Sequence, residues 1–320
     1  MLTLYLLQSL VPLVLVVWLA IAPPRNTTGF WTQALATGVG IFFIGLTGLW
    51  VFPPWWTPWA LGVLLAAVIL ASLARKRRLL LWPEGLWGWL GLAVFAAFGL
   101  FTANEARLAL VGMAPPPGQV VDLASPLEPG TYLVANGGAA LALNAHYEVL
   151  DASVPAHRPW RGEAYGVDLV AIDGWGLRAD GIVPAEPSRY VIFGRHVLAP
   201  CAGEVVVAVD GLPDLMVRQA DTVNLGGNHV FLRCGANNIV LGHFRKGTLR
   251  VHVGQMLKEG ELIADVGNSG NSSEPHLHIH AQVPGPAEQP FSGAPIPIRI
   301  NGRFLVRNER FVVPKAGGLQ

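Results

Sequence analysis

Residues 1–74 contain one charged side chain, Arg25, and residues 1–104 contain six of the chain's 22 Lys/Arg and 21 Asp/Glu. Charged residues are only 13% of the whole, against roughly 25% in soluble globular proteins. The shortage is confined to the first third, which therefore reads as membrane joined to a soluble remainder. Four apolar stretches, at about 3–22, 30–52, 57–74 and 85–103, each approach the ~20 residues that a helix needs to cross the hydrocarbon core. Pro23-Pro24 and Pro53-Pro54 punctuate the first two junctions, because proline has no N–H to continue a helix. Nine of the eleven Trp precede residue 90, as suits the membrane interface.

The junction Arg75-Lys76-Arg77-Arg78 sets the orientation expected, since short Lys/Arg-rich loops stay cytoplasmic. Four spans then carry everything beyond residue 104 across the membrane. The expected location is the bacterial inner membrane, multi-pass in the lipid bilayer, with a periplasmic or otherwise extracytoplasmic C-terminal part. The first span lacks a basic leader segment and is followed by further spans, so it reads as an uncleaved helix. No ionisable residue sits inside the four spans, which favours anchoring over a channel. Neither half carries the basic stripe of a nucleic-acid binder.

Residues 105–127 are Pro/Gly-rich and read as a linker; 128–310 read as one domain and 311–320 as a tail. Short β-type runs recur between turn signals at 131–135, 140–144, 165–172, 203–210, 229–233, 238–241, 249–253, 262–266, 276–283 and 303–306. The chain is thus expected to be multi-domain, a four-helix α transmembrane region followed by an all-β, antiparallel sandwich-like or barrel-like domain. Cys201 and Cys234 are the only cysteines. They exclude a Cys-rich zinc site and leave room for one disulfide in an oxidising compartment.

All nine His follow residue 145. In Pro275-His276-Leu277-His278-Ile279-His280 a strand would place the three imidazoles on one face; seen alone, this pattern serves equally well as an exposed polar face. Asp168 lies in the apolar run 165–172, where an unpaired carboxylate is costly to bury unless a cation, a turn or an Arg meets it. Two imidazoles and a carboxylate with an open fourth position are the composition of a catalytic zinc site.

Ala199-Pro200-Cys201-Ala202-Gly203, Leu241-Gly242-His243, Val253-Gly254-Gln255, and the turn Gly267-Asn268-Ser269-Gly270 leading to Pro275-His276-Leu277-His278, resemble the LytM/lysostaphin-type zinc metallopeptidases of the M23 family over roughly residues 130–310. The Pro-His-Leu-His piece after its Gly-Asn-Ser-Gly turn is the specific part. The resemblance implies a Zn2+ held by Asp168 and His278, with His243 and His276 as the acid/base and oxyanion-stabilising pair. It implies hydrolysis of a peptide bond, in peptidoglycan or another extracytoplasmic peptide. The family's usual first ligand falls on Ala164, which cannot bind zinc. His146, in Asn144-Ala145-His146-Tyr147, is the favoured third ligand by resemblance to a subgroup of the family; His157 is next, and absence of a third ligand is the remaining alternative. His280 stands where many relatives carry Glu and could orient His278. His196, His229 and His252 read as strand or surface residues.

The lost ligand position also motivates the alternative of a catalytically silent LytM-like domain that binds cell wall or activates another hydrolase. Residues 253–263 also resemble biotinyl/lipoyl-like modules, but Lys258 lies in the wrong half of that pattern for a carrier lysine.

Overall fold

A computed structural model describes residues 2–75 and 80–315 of the chain; Lys76, Arg77 and Arg78 of the basic junction and residues 316–320 of the tail lie outside the described residues. Two compact units divide between Val111 and Gly112.

In the first unit, helices α1 (Leu2–Ile21), α2 (Thr27–Thr47), α3 (Thr57–Ala74) and α4 (Gly85–Val111) are each long and apolar enough to cross a membrane. Asn26 starts α2 after the Pro pair by accepting from the Gly29 N–H at 2.6 Å, a side-chain cap for an otherwise orphaned donor. Small residues let α2 and α4 approach closely: a Cβ on Gly99 would lie 3.1 Å from the Ala36 Cβ, as in packed membrane helices. The buried Gln8 amide is fully used, donating to the Leu49 and Phe52 carbonyls and accepting from the Leu49 N–H. Helix α4 runs on past the apolar stretch through Asn104, Glu105 and Arg107, because nothing there breaks a helix.

The second unit is a mostly antiparallel β domain. Its strands are β1 (Val121–Leu123), β2 (Gly130–Asn136), β3 (Val167–Ala171), β4 (His196–Leu198), β5 (Gly203–Val209), β6 (His229–Cys234), β7 (Asn237–Gly242), β8 (Met256–Leu257), β9 (Leu262–Asp265), β10 (Leu277–Gln282), β11 (Pro295–Ile296), β12 (Ile298–Ile300) and β13 (Arg310–Val313). Nine of them form one sheet in the order β13-β2-β3-β10-β7-β6-β5-β8, with β11 also on β10; β1-β12 and β4-β9 are separate pairs. Cys201 and Cys234 are joined in a disulfide, with Cα atoms 6.2 Å apart.

Strands β3, β7 and β10 are buried along their whole length. Strand alternation sends Val167, Leu169, Ile239, Leu241, Leu277, Ile279 and Ala281 into the hydrophobic core. The opposite face of the same strands is roofed by two 3-10 helices, Ala145–Leu150 and Pro155–Tyr165. Those helices are illegible in a periodicity reading because the first is only six residues long and Pro155 and Pro159 interrupt the second.

Three expected strands are absent. Residues 140–144 close a tight turn instead, with the Leu143 and Asn144 N–H groups both donating to the Ala140 carbonyl at 2.9 Å. Residues 249–253 bury Val251 without joining a ladder. Residues 303–306 follow the left-handed Asn301-Gly302 turn as an irregular stretch.

Candidate metal centre

Neighbouring strands place Asn136, Asp168, His278 and Gly242 in register across β2, β3, β10 and β7. Asp168 and His278 are direct cross-strand partners, so the sheet itself brings the carboxylate and the imidazole together; His278 Nδ1 lies 2.9 Å from Asp168 Oδ1. His146 reaches the same carboxylate from the 3-10 helix above, with Nε2 3.0 Å from Oδ2. The ligand atoms of His146, Asp168 and His278 all lie within 4.8 Å of one another.

The fully buried Asn144 holds His146 in place. Its amide donates to the Gly138 and Gly166 carbonyls at 3.1 and 3.0 Å, and its Oδ1 accepts from the His146 N–H at 3.1 Å. Gly166 is needed below, since a Cβ there would lie 2.7 Å from His278 Cε1 and 3.3 Å from His146 Cδ2. Ala164 is fully buried at the end of the second 3-10 helix. The position thus belongs to packing, and the group that joins Asp168 and His278 in the cluster is the imidazole of His146. His157 is not in the cluster.

His243 and His276 flank it, their rings 4.7 Å apart between centroids. His243 follows β7 with a φ of 64°, a conformation uncommon for a residue with a side chain. Asn228 and Ser269 hold that bend. Asn228 donates from Nδ2 to the Phe244 carbonyl at 3.0 Å, and Ser269 Oγ donates to the same carbonyl at 2.8 Å. The glycines of the two turns allow this contact: a Cβ on Gly227 would meet Ser269 O at 2.4 Å, and both Gly227 and Gly270 have positive φ. His243 Nδ1 donates to the Ser269 carbonyl at 2.8 Å, and His276 Nδ1 to the Glu274 carbonyl at 2.8 Å. Carbonyl oxygens only accept, so each ring carries a proton on Nδ1. His276 Nε2 lies 3.5 Å from Asp168 Oδ1.

Burial opposes the charge on Asp168, but the imidazoles of His146 and His276, with hydrogen bonds from His146 and His278, hold its carboxyl well below the usual range. Burial likewise opposes protonation of His146, and the adjoining Asp168 carboxylate outweighs it, lifting the ring to about 9. His243 is pushed well down by burial and by the neighbouring His276 and His278, which keeps it neutral. Glu163, over the cluster, is raised by burial.

Several participants gave no signal in the sequence. Asn136 donates to Asp168 Oδ2 at 2.8 Å and is itself held by Arg307, whose guanidinium donates to Asn136 Oδ1. Arg178 forms a two-pronged buried pair with Glu274 at 2.7 and 2.8 Å, anchoring the segment whose carbonyl orients His276. A cleft of about 230 Å³ opens over the cluster, lined by His146, Glu163, His243, His278, Trp160 and Phe291 among others. His229 also lines it, its Nδ1 bonded to the Gly227 carbonyl. His196 pairs with Asp265 away from the cluster, and His252 is exposed.

Residues 190–290 match Peptidase family M23. A protein of Haemophilus influenzae described as an uncharacterized metalloprotease is 32% identical over 110 residues, which span 34% of this chain and 22% of that protein. The catalytic domain of the antimicrobial peptidase lysostaphin from Staphylococcus simulans is 24% identical, over 39% of this chain and 71% of that one, at a TM-score of 0.26. A zinc containing peptidase from Vibrio cholerae is 18% identical, over 37% of this chain and 46% of that one, at a TM-score of 0.23. The family match takes in His243, His276 and His278, whereas His146 and Asp168 precede it. This chain carries a Peptidase family M23 domain at residues 190–290.

Proposed function

We propose that the protein is a membrane-anchored zinc metalloendopeptidase that hydrolyses peptide bonds outside the cytoplasm, in the peptide part of bacterial peptidoglycan. The observation that carries this reading is the convergence of His146, Asp168 and His278 within 4.8 Å. Their chemistry fits a zinc ion, because two imidazole nitrogens and a buried carboxylate crowd one point with no fixed cation from a Lys or Arg among them. A zinc ion held there supplies polarisation of a water molecule and of the peptide carbonyl.

The remaining work falls to the protein's own side chains. His243 and His276 each have Nδ1–H committed to a carbonyl, so their Nε2 atoms are free to take a proton from water and return one to the departing amine. A ring protonated in this way becomes a donor aimed at developing negative charge. Trp160 and Phe291 wall the cleft and shed water from it.

The substrate class follows the resemblance carried by His276-Leu277-His278 and the turn before it. Placement of the catalytic domain outside the inner membrane follows the basic junction at Arg75-Lys76-Arg77-Arg78, and the Cys201–Cys234 disulfide fits an oxidising compartment.

The test is metal content together with hydrolysis of purified peptidoglycan by the full chain. About one zinc per chain is expected, with loss of both metal and hydrolysis in His278→Ala. Unchanged hydrolysis in that variant sinks the reading; no stoichiometric zinc and no hydrolysis in the unmodified chain leaves the silent cell-wall-binding alternative.

A further inference from the structure

Strand β10 has period two, so His278, His280 and Gln282 project from one face at successive alternate positions. They touch in sequence. His278 Nε2 lies 2.9 Å from His280 Nδ1, His280 Nε2 lies 3.2 Å from Gln282 Oε1, and Gln282 Nε2 donates to the Pro290 carbonyl at 2.6 Å. His280 and Gln282 are fully buried.

The far end of this row fixes its direction. Pro290 offers an oxygen that can only accept, so the Gln282 amide must turn its NH2 toward Pro290 and its oxygen toward His280. An amide oxygen can only accept as well, so His280 carries its proton on Nε2 and has a bare Nδ1. That bare nitrogen must in turn receive a proton from His278 Nε2. The reverse direction would set the Gln282 oxygen against the Pro290 oxygen and leave two buried acceptors facing each other, at the cost of an unsatisfied buried polar group.

The surroundings are shaped for this amide. A Cβ on Gly162 would fall 1.8 Å from Gln282 Oε1, and a Cβ on Gly293 would fall 2.8 Å from Gln282 Nε2. The Pro290 end is held by its neighbour Phe291, whose carbonyl accepts from the Gly162 N–H at 2.8 Å and whose ring lies tilted against that of Trp160, 4.8 Å between centroids.

We infer that the buried row His280–Gln282–Pro290 keeps a proton on Nε2 of His278, so that the nitrogen left for a cation is Nδ1, which donates to Asp168 in the metal-free chain. His280 and Gln282 are positioning residues: they act through His278 and touch neither substrate nor metal. The inference rests on the zinc reading for its purpose, but the direction of the row stands without metal.

Imidazole nitrogen NMR on the zinc-free full chain, labelled with 15N-histidine, reads the row directly. Expected are a proton on His278 Nε2 and, for His280, a proton on Nε2 with a bare Nδ1. A His280 protonated on Nδ1, or a His278 with a bare Nε2, overturns the inference whatever the protein does with zinc. Zinc affinity, read by competition with a chelator, supplies the second arm. His280→Phe is expected to weaken zinc by about 10–100-fold, as loss of a ligand's outer partner does, whereas His280→Gln and His280→Glu keep an acceptor for His278 Nε2 and retain most of the affinity. Equal affinity in the Phe and Gln variants overturns the inference. If the unmodified chain binds no zinc, the proposed function fails, and the NMR result alone decides the row.

Discussion

His146 Nε2 sits 3.0 Å from Asp168 Oδ2, although the family's usual ligand position lies on Ala164, four residues before Asp168 on its own segment. On the zinc reading proposed above, His146 stands in for that position, and the reason is space. Ala164 is fully packed, while Asn144 holds the 3-10 helix that carries His146 over the strand.

His146→Ala is therefore expected to lower zinc affinity by more than about 100-fold, beyond the range for loss of an outer partner alone. Adding Ala164→His to that variant is not expected to restore it, because a ring forced into a filled site costs about 1–3 kcal/mol in displaced neighbours. Chelator competition and thermal melting of the double variant check this; regained affinity with an unchanged melting temperature would show that position 164 remains open to a ligand.

The linkage of His146 and Asp168 gives the metal-free protein a defined pH response. His146 is raised from its ordinary 6.5 to about 9, so its stabilising contribution is fully present below about 6.5 and is lost as pH rises through about 9. Asp168 is held below its ordinary value, so its contribution is present above that ordinary value and is lost as pH falls through the depressed one. Zinc needs the neutral ring and competes with that proton. Without zinc, Tm should fall between pH 7 and 10; with saturating zinc the fall should flatten or reverse. Melting curves across that range, with and without metal, distinguish this from a generic alkaline loss, which zinc would not alter.

The charge desert before residue 75 marked the apolar helices because exclusion of charge is a property of composition, readable residue by residue. The strands carrying the site were legible as well, since Asp168 in an apolar run and alternating His in 276–280 are local patterns. What the sequence hid was long-range. Asn136 meets Asp168, and Arg307 meets Asn136, only because β2 pairs with β3 and the segment before β13 returns beside it. Arg178 and Glu274 lie far apart in the chain, and no local pattern joins them. His146 was reachable only by resemblance, since the six-residue 3-10 helix that carries it is too short to show a periodicity.

Gly166 packs directly under the rings of His278 and His146. A Cβ there would lie 2.7 Å from His278 Cε1 and 2.9 Å from the Glu163 carbonyl oxygen, so neither a ring nor the backbone can yield without moving a ligand. Gly166→Ala should lose zinc while the domain still folds, at a stability cost of about 1–3 kcal/mol. Circular dichroism with metal analysis reads both quantities, and a folded variant with full zinc content would contradict the close contact.

The Cys201–Cys234 bond joins the start of β5 to the end of β6 across a separation of 33 residues. By chain entropy a loop of that size contributes about 3–4 kcal/mol. Urea unfolding of Cys201→Ser/Cys234→Ser should show a midpoint lowered accordingly, with hydrolysis preserved under native conditions because neither cysteine lines the cleft. Loss of activity in the folded variant would place the bond within the site's support.

The Arg178–Glu274 pair should behave differently from a surface ion pair. Both side chains are almost wholly buried, the guanidinium donates twice to the carboxylate, and it also lies over the Tyr190 ring at 5.5 Å. Arg178→Met leaves the Glu274 carboxylate buried without its cation and should cost about 3–5 kcal/mol. Because the Glu274 carbonyl accepts from His276 Nδ1, the same variant should also lower kcat more than it changes KM. Removing both charges together, as Arg178→Met with Glu274→Met, takes away the uncompensated carboxylate and should recover most of the stability. It should recover kcat only if the backbone at 274 still meets His276. Urea midpoints and steady-state kinetics on the two variants separate the electrostatic part of this pair from its part in aiming the histidine, and equal losses in the single and double variants would assign the whole effect to packing.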